Sequence, residues 1–448
     1  MNFDLIGLEE KLKRAVCKYH IPGLSIAIEQ DGRKIFSLGL GFANITKNLA
    51  TTPHTIFGTA SLTKILTTLI LLKAEELELV KLSDKLSVYY PDLERLDISN
   101  ASIKNLLNHS AGLPGLPTRH IASDLNNPRI NPEFLCIDSL IKFLNEFKFD
   151  VLEQPGQLLS YSNEGYCLLG GIIERIFGET FETVAKKLVF KPLKMKNSFI
   201  GRDKSGRFKD IAEPMISWKK DIKASQTEYW DAPLFYPAGG LMSSANDIVK
   251  LSSALYGASN FLKCAQYKQV TFDPMPVASR HERFFAYGLG TEIEYINNKK
   301  TLLWHTGQRP GISSFVGQVI PDRLSVALLT NISDAPASKI GRLVLSHFYS
   351  RDDKPKKLKW LQTTDNLSIH ERDLKSFVGI YGSAEVGEYH IHLEDKILLM
   401  KFVSSKNEML FNEANSGIVG SQTFKFMFTS RAEPYALALD LRILPRLA

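Results

Sequence analysis

Serine followed three residues later by lysine, at Ser61-Leu62-Thr63-Lys64, is a pairing that can make a nucleophile. A serine hydroxyl attacks a carbonyl carbon poorly until a neighbouring base takes its proton, and a desolvated lysine can be that base. On a helix, residues three apart share a face. A serine that opens the helix also sits where unpaired backbone N–H groups point outward and the dipole favours negative charge. The spacing alone is common, because Ser139–Lys142 and Ser217–Lys220 repeat it. Ser139 lies in the amphipathic stretch DSLIKFL and Ser217 in the polar stretch SWKKD. Ser61 alone follows the small residues Gly58-Thr59-Ala60 and begins a long apolar helix.

Tyr161-Ser162-Asn163 is the second group. Pro155-Gly156 places it in a loop just before a helix, where its polar side chains are exposed. A tyrosine near a lysine ionises more readily because positive charge favours phenolate. It could then shuttle a proton between nucleophile and leaving group while Asn163 donates to a substrate amide. Tyr295-Ile296-Asn297 repeats this spacing in a turn, and a buried tyrosine beside a capping asparagine would look the same.

His305-Thr306-Gly307 is the third, read as the end of a strand and followed by Gln308. Glycine there lets a substrate pair along the strand without a side-chain clash. His305 and Thr306 could hold or protonate the reacting group, and the Gln308 backbone N–H could serve an oxyanion hole. A histidine at a strand end can equally be structural.

The elements that must position these groups follow from periodicity. Phe3, Ile6, Leu8, Leu12 and Val16 mark one face of a first helix. Leu24–Glu29 and Lys34–Leu38 read as strands joined at Asp31-Gly32. A helix from about Ser61 to Leu79 is apolar around most of its circumference, as a buried helix is. Further helices are expected at Asn163–Phe177, at Ser244–Tyr256 behind Pro237-Ala238-Gly239-Gly240, and at Ala337–Tyr349. Strands in WHTG, SSFVGQVI and LSVALLTNI, with a turn at Pro321-Asp322-Arg323, place late strands beside the early ones in an α+β domain. VGIYG, EYHIHLE, KILLMKF and TFKFMFTS predict a small all-β module. The chain therefore divides into a domain at 1–350, a linker at 351–371 and a β-rich unit at 372–448.

Composition narrows the class. At 44% hydrophobic and 23% charged residues the 448-residue chain matches globular proteins and excludes disordered, collagenous and disulfide-scaffold readings. Its net charge of +7 is spread along the chain, too thin to argue for nucleic acid. The densest basic run, RDDKPKKLK from Arg351, reads as solvated linker. Cys17, Cys136, Cys167 and Cys264 lie far apart, so reduced thiols are expected and neither a metal nor an organic cofactor is called for. The N-terminus lacks the pattern of a secretory signal, and the longest apolar run, Ile65–Leu72, is far short of a membrane span, so a cytoplasmic location is expected.

Taken together and in order, the three groups resemble the serine β-lactamase and penicillin-binding-protein superfamily. The resemblance is to the branch with class C β-lactamases, serine DD-peptidases, D-aminopeptidases and esterases. IKNLLNHSAGLPG (103–115), KPLKMKNSF (191–199), YPAGGLMSSANDIVKL (236–251) and HTGQRPGISSFVGQVIPDRLSVALLTN (305–331) add to it, across about residues 10–350. The resemblance implies an antiparallel sheet with covering helices, a helical lobe, and a site in the cleft between. Ser61 would be acylated, Lys64 and Tyr161 would share the base role, and Asn163 would bind the acyl side chain. His305 and Thr306 would stand opposite, with the Ser61 and Gln308 N–H groups as oxyanion hole. Histidine stands where most β-lactamases of this shape have lysine. A histidine near its reference pKa of about 6.5 is only partly charged at neutral pH, which speaks against efficient β-lactamase action. Arg309 could supply a bidentate cation instead or could face solvent. The C-terminal unit resembles lipocalin-like modules that can border the cleft of related hydrolases.

The function expected is hydrolysis of a small ester or amide, a D-amino-acid peptide among the candidates, through an acyl-serine. DD-peptidase or β-lactamase action, acyl transfer, and a non-catalytic binding scaffold are the alternatives. The loops at 110–160 and 200–235 would shape the substrate pocket, and oligomeric state is not legible.

Overall fold

The structure, a computed structural model, describes residues 5–118, 136–203, 205–218, 221–224, 232–257, 259–263, 274–276, 285–296, 300–348, 371–395, 397–403, 405–413, 415–420, 422–428 and 434–447. Cys264, Lys220, Asn297, the basic run from Arg351 and the expected linker up to residue 370 lie outside the described residues. Residue 371, expected to close that linker, begins a short helix, Glu371–Phe377.

Helix α1 (Leu5–Lys18) leads into β1 (Gly23–Gln30) and β2 (Arg33–Asn44). The turn between the strands has Asp31 at φ 50° and Gly32 at φ 74°. Two left-handed residues match the right-handed twist of a tight hairpin, which is why Asp-Gly is favoured there. Strands β3 (Thr301–Arg309), β4 (Ile312–Ile320) and β5 (Leu324–Thr330) form a meander, and β5 closes antiparallel onto β1 with Ala27 opposite Ala327. The early and late strands thus share one sheet, nine-stranded in all. Strand β3 does not end at Gly307. It runs on to Arg309 because Gln308 and Arg309 still pair with Ser313 and Ile312.

Alternation along these strands feeds two cores. Ile26, Ile28, Val326 and Leu328 pack with Leu8 and Leu12 of α1 and with Ile340 and Val344 of Ala337–His347. Ala27, Ala327 and Leu329 join a larger cluster with helix α2 (Thr63–Glu76) and with Asn163–Phe177, here α3. Nearly every residue of α2 is buried, as its all-round apolarity predicts.

The C-terminal part is an eight-stranded antiparallel sheet in sequential order, nearly closed by a bridge between Tyr381 and Arg446. Phe377, Tyr381, Phe411, Phe424 and Phe426 fill it. Four strands escaped the sequence reading: Ser405–Glu413, Ser416–Val419, Pro434–Leu439 and Arg442–Pro445. They are polar, alanine-rich or only four residues long, too little for the alternating β-branched and aromatic pattern that marks a strand. Among the described residues, no helix is long and apolar enough to cross a membrane.

Candidate active site

Ser61 is held one step ahead of α2, in a 3-10 turn spanning Ala60–Leu62. The short strand Phe57–Gly58 pairs with Leu241–Ser243. Thr59 extends that seam by donating both its N–H and its hydroxyl to the Leu241 carbonyl, at 3.0 and 2.9 Å. Thr63 then bonds back to the Ala60 carbonyl at 2.6 Å and accepts the Leu241 N–H at 3.0 Å. Ala60 sits at φ 47°, a region L-residues rarely adopt. Such a conformation persists only where surrounding bonds over-determine it, and these do.

Lys64 lies on the first turn of α2 and is fully buried. Its Nζ is 3.4 Å from Ser61 Oγ, 2.8 Å from Asn163 Oδ1 and 2.9 Å from the Ala238 carbonyl oxygen. Burial pushes its pKa down from 10.5 to about 7, and the Arg309 and Arg442 cations push the same way. A neutral amine has two N–H bonds and one lone pair. With the two N–H groups donated to Asn163 and Ala238, the lone pair is left for the Ser61 side.

Tyr161 and Asn163 reach the site from the start of α3. Ser162 caps this helix, accepting the Gly165 N–H at 3.2 Å, and Asn163 is its first residue. The Ser61 hydroxyl near Tyr161 favours its ionised form. Lys64 Nζ lies 4.8 Å from the centre of the Tyr161 ring. The sequence reading expected a phenol eased toward ionisation. Burial outweighs the pull of Ser61 and of the Arg442 charge, and the Tyr161 pKa is raised instead. His109 packs against this ring, tilted by 34° at 4.2 Å between centroids, and accepts the Ser162 N–H through Nδ1 at 3.1 Å.

His305 is also buried. Its Nδ1 is 2.6 Å from the Thr306 carbonyl oxygen and its Nε2 is 2.9 Å from the Tyr287 hydroxyl. A carbonyl only accepts, so Nδ1 carries the proton and Nε2 accepts from Tyr287. Burial and the nearby Lys64 push the His305 pKa down to about 3. The partial charge expected at neutral pH is therefore absent, because desolvation outweighs everything that would hold a proton there.

Gly307 serves the fold rather than an open strand edge. A Cβ on it would strike the Thr59 carbonyl oxygen and the Ser314 hydroxyl, and would stand 3.1 Å from the Ser61 nitrogen. Its absence lets β3 lie directly against the turn that carries Ser61.

A cavity of about 560 Å³ opens over these groups. Ser61, Tyr161, Asn163, His305, Thr306 and Gln308 line it, while Lys64 and Gly307 are buried and do not. Arg309 lines it too, half-buried, with its guanidinium against Gly239. Among the described residues, Phe235 is the contribution of the 200–235 stretch, and none of 110–160 lines the cavity. Sequence reasoning missed Glu292, Ser333, Val386, Leu441 and Arg442. Glu292 stands opposite Trp304 on the strand beside β3, a position the strand pairing would have indicated. The C-terminal residues carry no local signal at all.

The β-lactamase family model matches residues 8–347. The chain belongs to that family. Protein flp of Staphylococcus aureus (strain N315) is 23% identical over 338 residues, covering 74% of this chain and 64% of that protein. The chain thus spans less than two thirds of the length of that relative. The octameric penicillin-binding protein homologue from Pyrococcus abyssi superimposes with a TM-score of 0.70 at 23% identity, covering 98% of this chain and 99% of the other. The D-amino acid amidase from Ochrobactrum anthropi SV3, solved with L-phenylalanine amide, gives 0.63 at 22% identity over 76% of this chain and 97% of that one. Both share the fold.

Proposed function

We propose that the protein cleaves a small ester or amide through an acyl-enzyme on Ser61, with Lys64 as the base. The observation that carries this reading is a buried Lys64 amine, its pKa near 7, placed 3.4 Å from the Oγ of Ser61, which lines the cavity. A base poised near the working pH is half unprotonated there, the condition general-base catalysis needs.

In this reading Ser61 Oγ attacks the acyl carbon as its proton passes to Lys64. Backbone N–H groups of Ser61 and Gln308 bind the developing oxyanion. The C–O or C–N bond then breaks, and the proton leaves with the alcohol or amine by way of Lys64 and Tyr161. Water repeats the attack on the acyl-serine, giving the free acid and restoring Ser61. Tyr161 serves as a neutral relay beside Ser61, since burial disfavours the phenolate. Thr306 and Asn163 would hold the two ends of the substrate.

The neutral His305, spent on Thr306 and Tyr287, offers no fixed charge to a β-lactam carboxylate. That favours ester or amide cleavage over β-lactamase action. The domain limits that go with this reading are 1–350 for the hydrolase unit and 372–448 for the β-rich unit.

The test is to incubate wild-type and Ser61→Ala protein with a fluorescent penicillin, a p-nitrophenyl ester and a fluorophosphonate, and to weigh the intact protein. An adduct that requires Ser61 is expected, with ester and fluorophosphonate labelling faster than penicillin. Equal labelling of both proteins, or of neither, would refute the assignment.

A further inference from the structure

The asparagine that faces Lys64 is held on its other side by the C-terminal sheet. Strands β6 (Gly379–Ser383) and β7 (Gly387–Glu394) make a hairpin whose tip carries Glu385. This tip lies on Gly115, where an added Cβ would stand 2.5 Å from Ser383 Oγ and 3.0 Å from Glu385 Oε2. Glu385 Oε1 accepts from Asn163 Nδ2 at 3.2 Å, across 222 residues of sequence. Arg442 grips the same carboxylate with Nε at 3.1 Å and Nη2 at 2.8 Å. Its guanidinium lies 5.2 Å from the centre of the Tyr161 ring. Next to it, the Leu441 carbonyl accepts the Tyr161 N–H at 2.8 Å. The Glu385 side chain is 1% exposed.

A carboxamide has one accepting and one donating end, and its neighbours decide which way it turns. Lys64 needs the accepting end, because only an acceptor there occupies an N–H and leaves the lone pair for Ser61. We propose that Glu385, supplied by the C-terminal sheet, is a positioning residue for catalysis: it captures Asn163 Nδ2, so that Oδ1 faces Lys64. Arg442 holds the carboxylate in that pose. Without Glu385 the amide can turn its NH₂ toward Lys64, setting donor against donor and releasing the amine from its orientation. The pair also sets the local charge, since the Glu385 carboxylate holds the Lys64 proton and the Arg442 cation opposes it. This inference rests on the acyl-Ser61 reading above.

The experiment follows fluorophosphonate labelling of the full chain by intact mass from about pH 5.5 to about pH 9.5, in wild-type, Glu385→Gln and Glu385→Leu proteins. Thermal melting checks that each is folded. Glu385→Leu is expected to lower the saturating labelling rate about tenfold, the rate equivalent of one lost charge-assisted hydrogen bond, with little change in the half-saturating probe concentration. Glu385→Gln keeps an acceptor for Asn163 and is expected to hold the plateau rate. Its acid limb moves to lower pH, because Arg442 is left without its counter-charge.

A folded Glu385→Leu protein that labels at the wild-type rate with the wild-type limb overturns the inference. If that variant does not fold, an unshifted limb in Glu385→Gln overturns it. A structural latch alone would lower the melting temperature of both variants and leave the rate and limb of the folded protein unchanged. Labelling that persists in Ser61→Ala, or is missing from wild type, instead removes the acyl-serine reading and the inference with it. Normal Ser61 labelling in all Glu385 variants removes the inference only.

Discussion

Replacing Lys64 with methionine exposes what burying this amine costs the fold. The unfolded chain holds the Lys64 proton with a pKa near 10.5, and the folded chain releases it near 7. Folding therefore expels a proton between those values. The penalty is fully present below about pH 7 and fades as pH rises toward 10.5. At about 1.4 kcal/mol per unit of difference, wild type should gain about 3 kcal/mol on the Lys64→Met protein between pH 7 and pH 9.5. The hydrogen bonds to Asn163 and Ala238 are lost in the variant at every pH, so they shift the whole curve without tilting it. Groups coupled to Lys64 do not blur the window. His305 is pushed to about 3, and burial drives the Cys167 thiol and the Tyr161 phenol upward. Urea unfolding of both proteins at several pH values gives the difference directly. A difference flat within 1 kcal/mol across about pH 7–9.5 would refute a depressed Lys64 pKa and with it the case for lysine as base.

Tyr161→Phe should slow labelling of Ser61 yet leave the acid limb near pH 7, since Lys64 sets it. A limb displaced by more than about one unit would transfer the base role to the tyrosine. Gly307→Ala drives a methyl group into the Thr59 carbonyl and the Ser314 hydroxyl. A loss of about 1–3 kcal/mol is expected, together with slower Ser61 labelling, and an unchanged melting temperature would contradict the packing described. Tyr287→Phe removes the hydroxyl donated to His305 Nε2 and strands a buried acceptor. It should cost about 1–3 kcal/mol in the urea midpoint at constant m-value, and no shift would argue that this hydrogen bond does not stabilise the fold.

Local spacing made much of the site legible. Serine and lysine three apart, on the one such pair that opens an apolar helix, predicted the Ser61–Lys64 approach, because helical geometry fixes it whatever packs around it. Ser162 announces the start of α3 by the same local logic, a cap followed by a helix, and Asn163 is thereby placed on its first turn. The strands around His305 and Gln308 follow from runs of β-forming residues and one turn. Such signals depend on neighbours within a few residues, and a chain carries them wherever it goes.

Charge and partnership were decided only by the tertiary structure. His305 looks titratable in sequence and is neutral here because burial strips its water. Tyr161 looks poised to ionise beside a lysine and is held as a phenol for the same reason. Gly307 looks like a substrate-facing gap and is a seat for the Ser61 turn. Glu385 and Arg442 belong to hairpin tips of a separate sheet, hundreds of residues from Ser61, and nothing near them in sequence marks them. Desolvation and long-range contact are properties of the packed whole. The sequence could name the candidate groups, but only the fold could determine their protonation and what holds them in place.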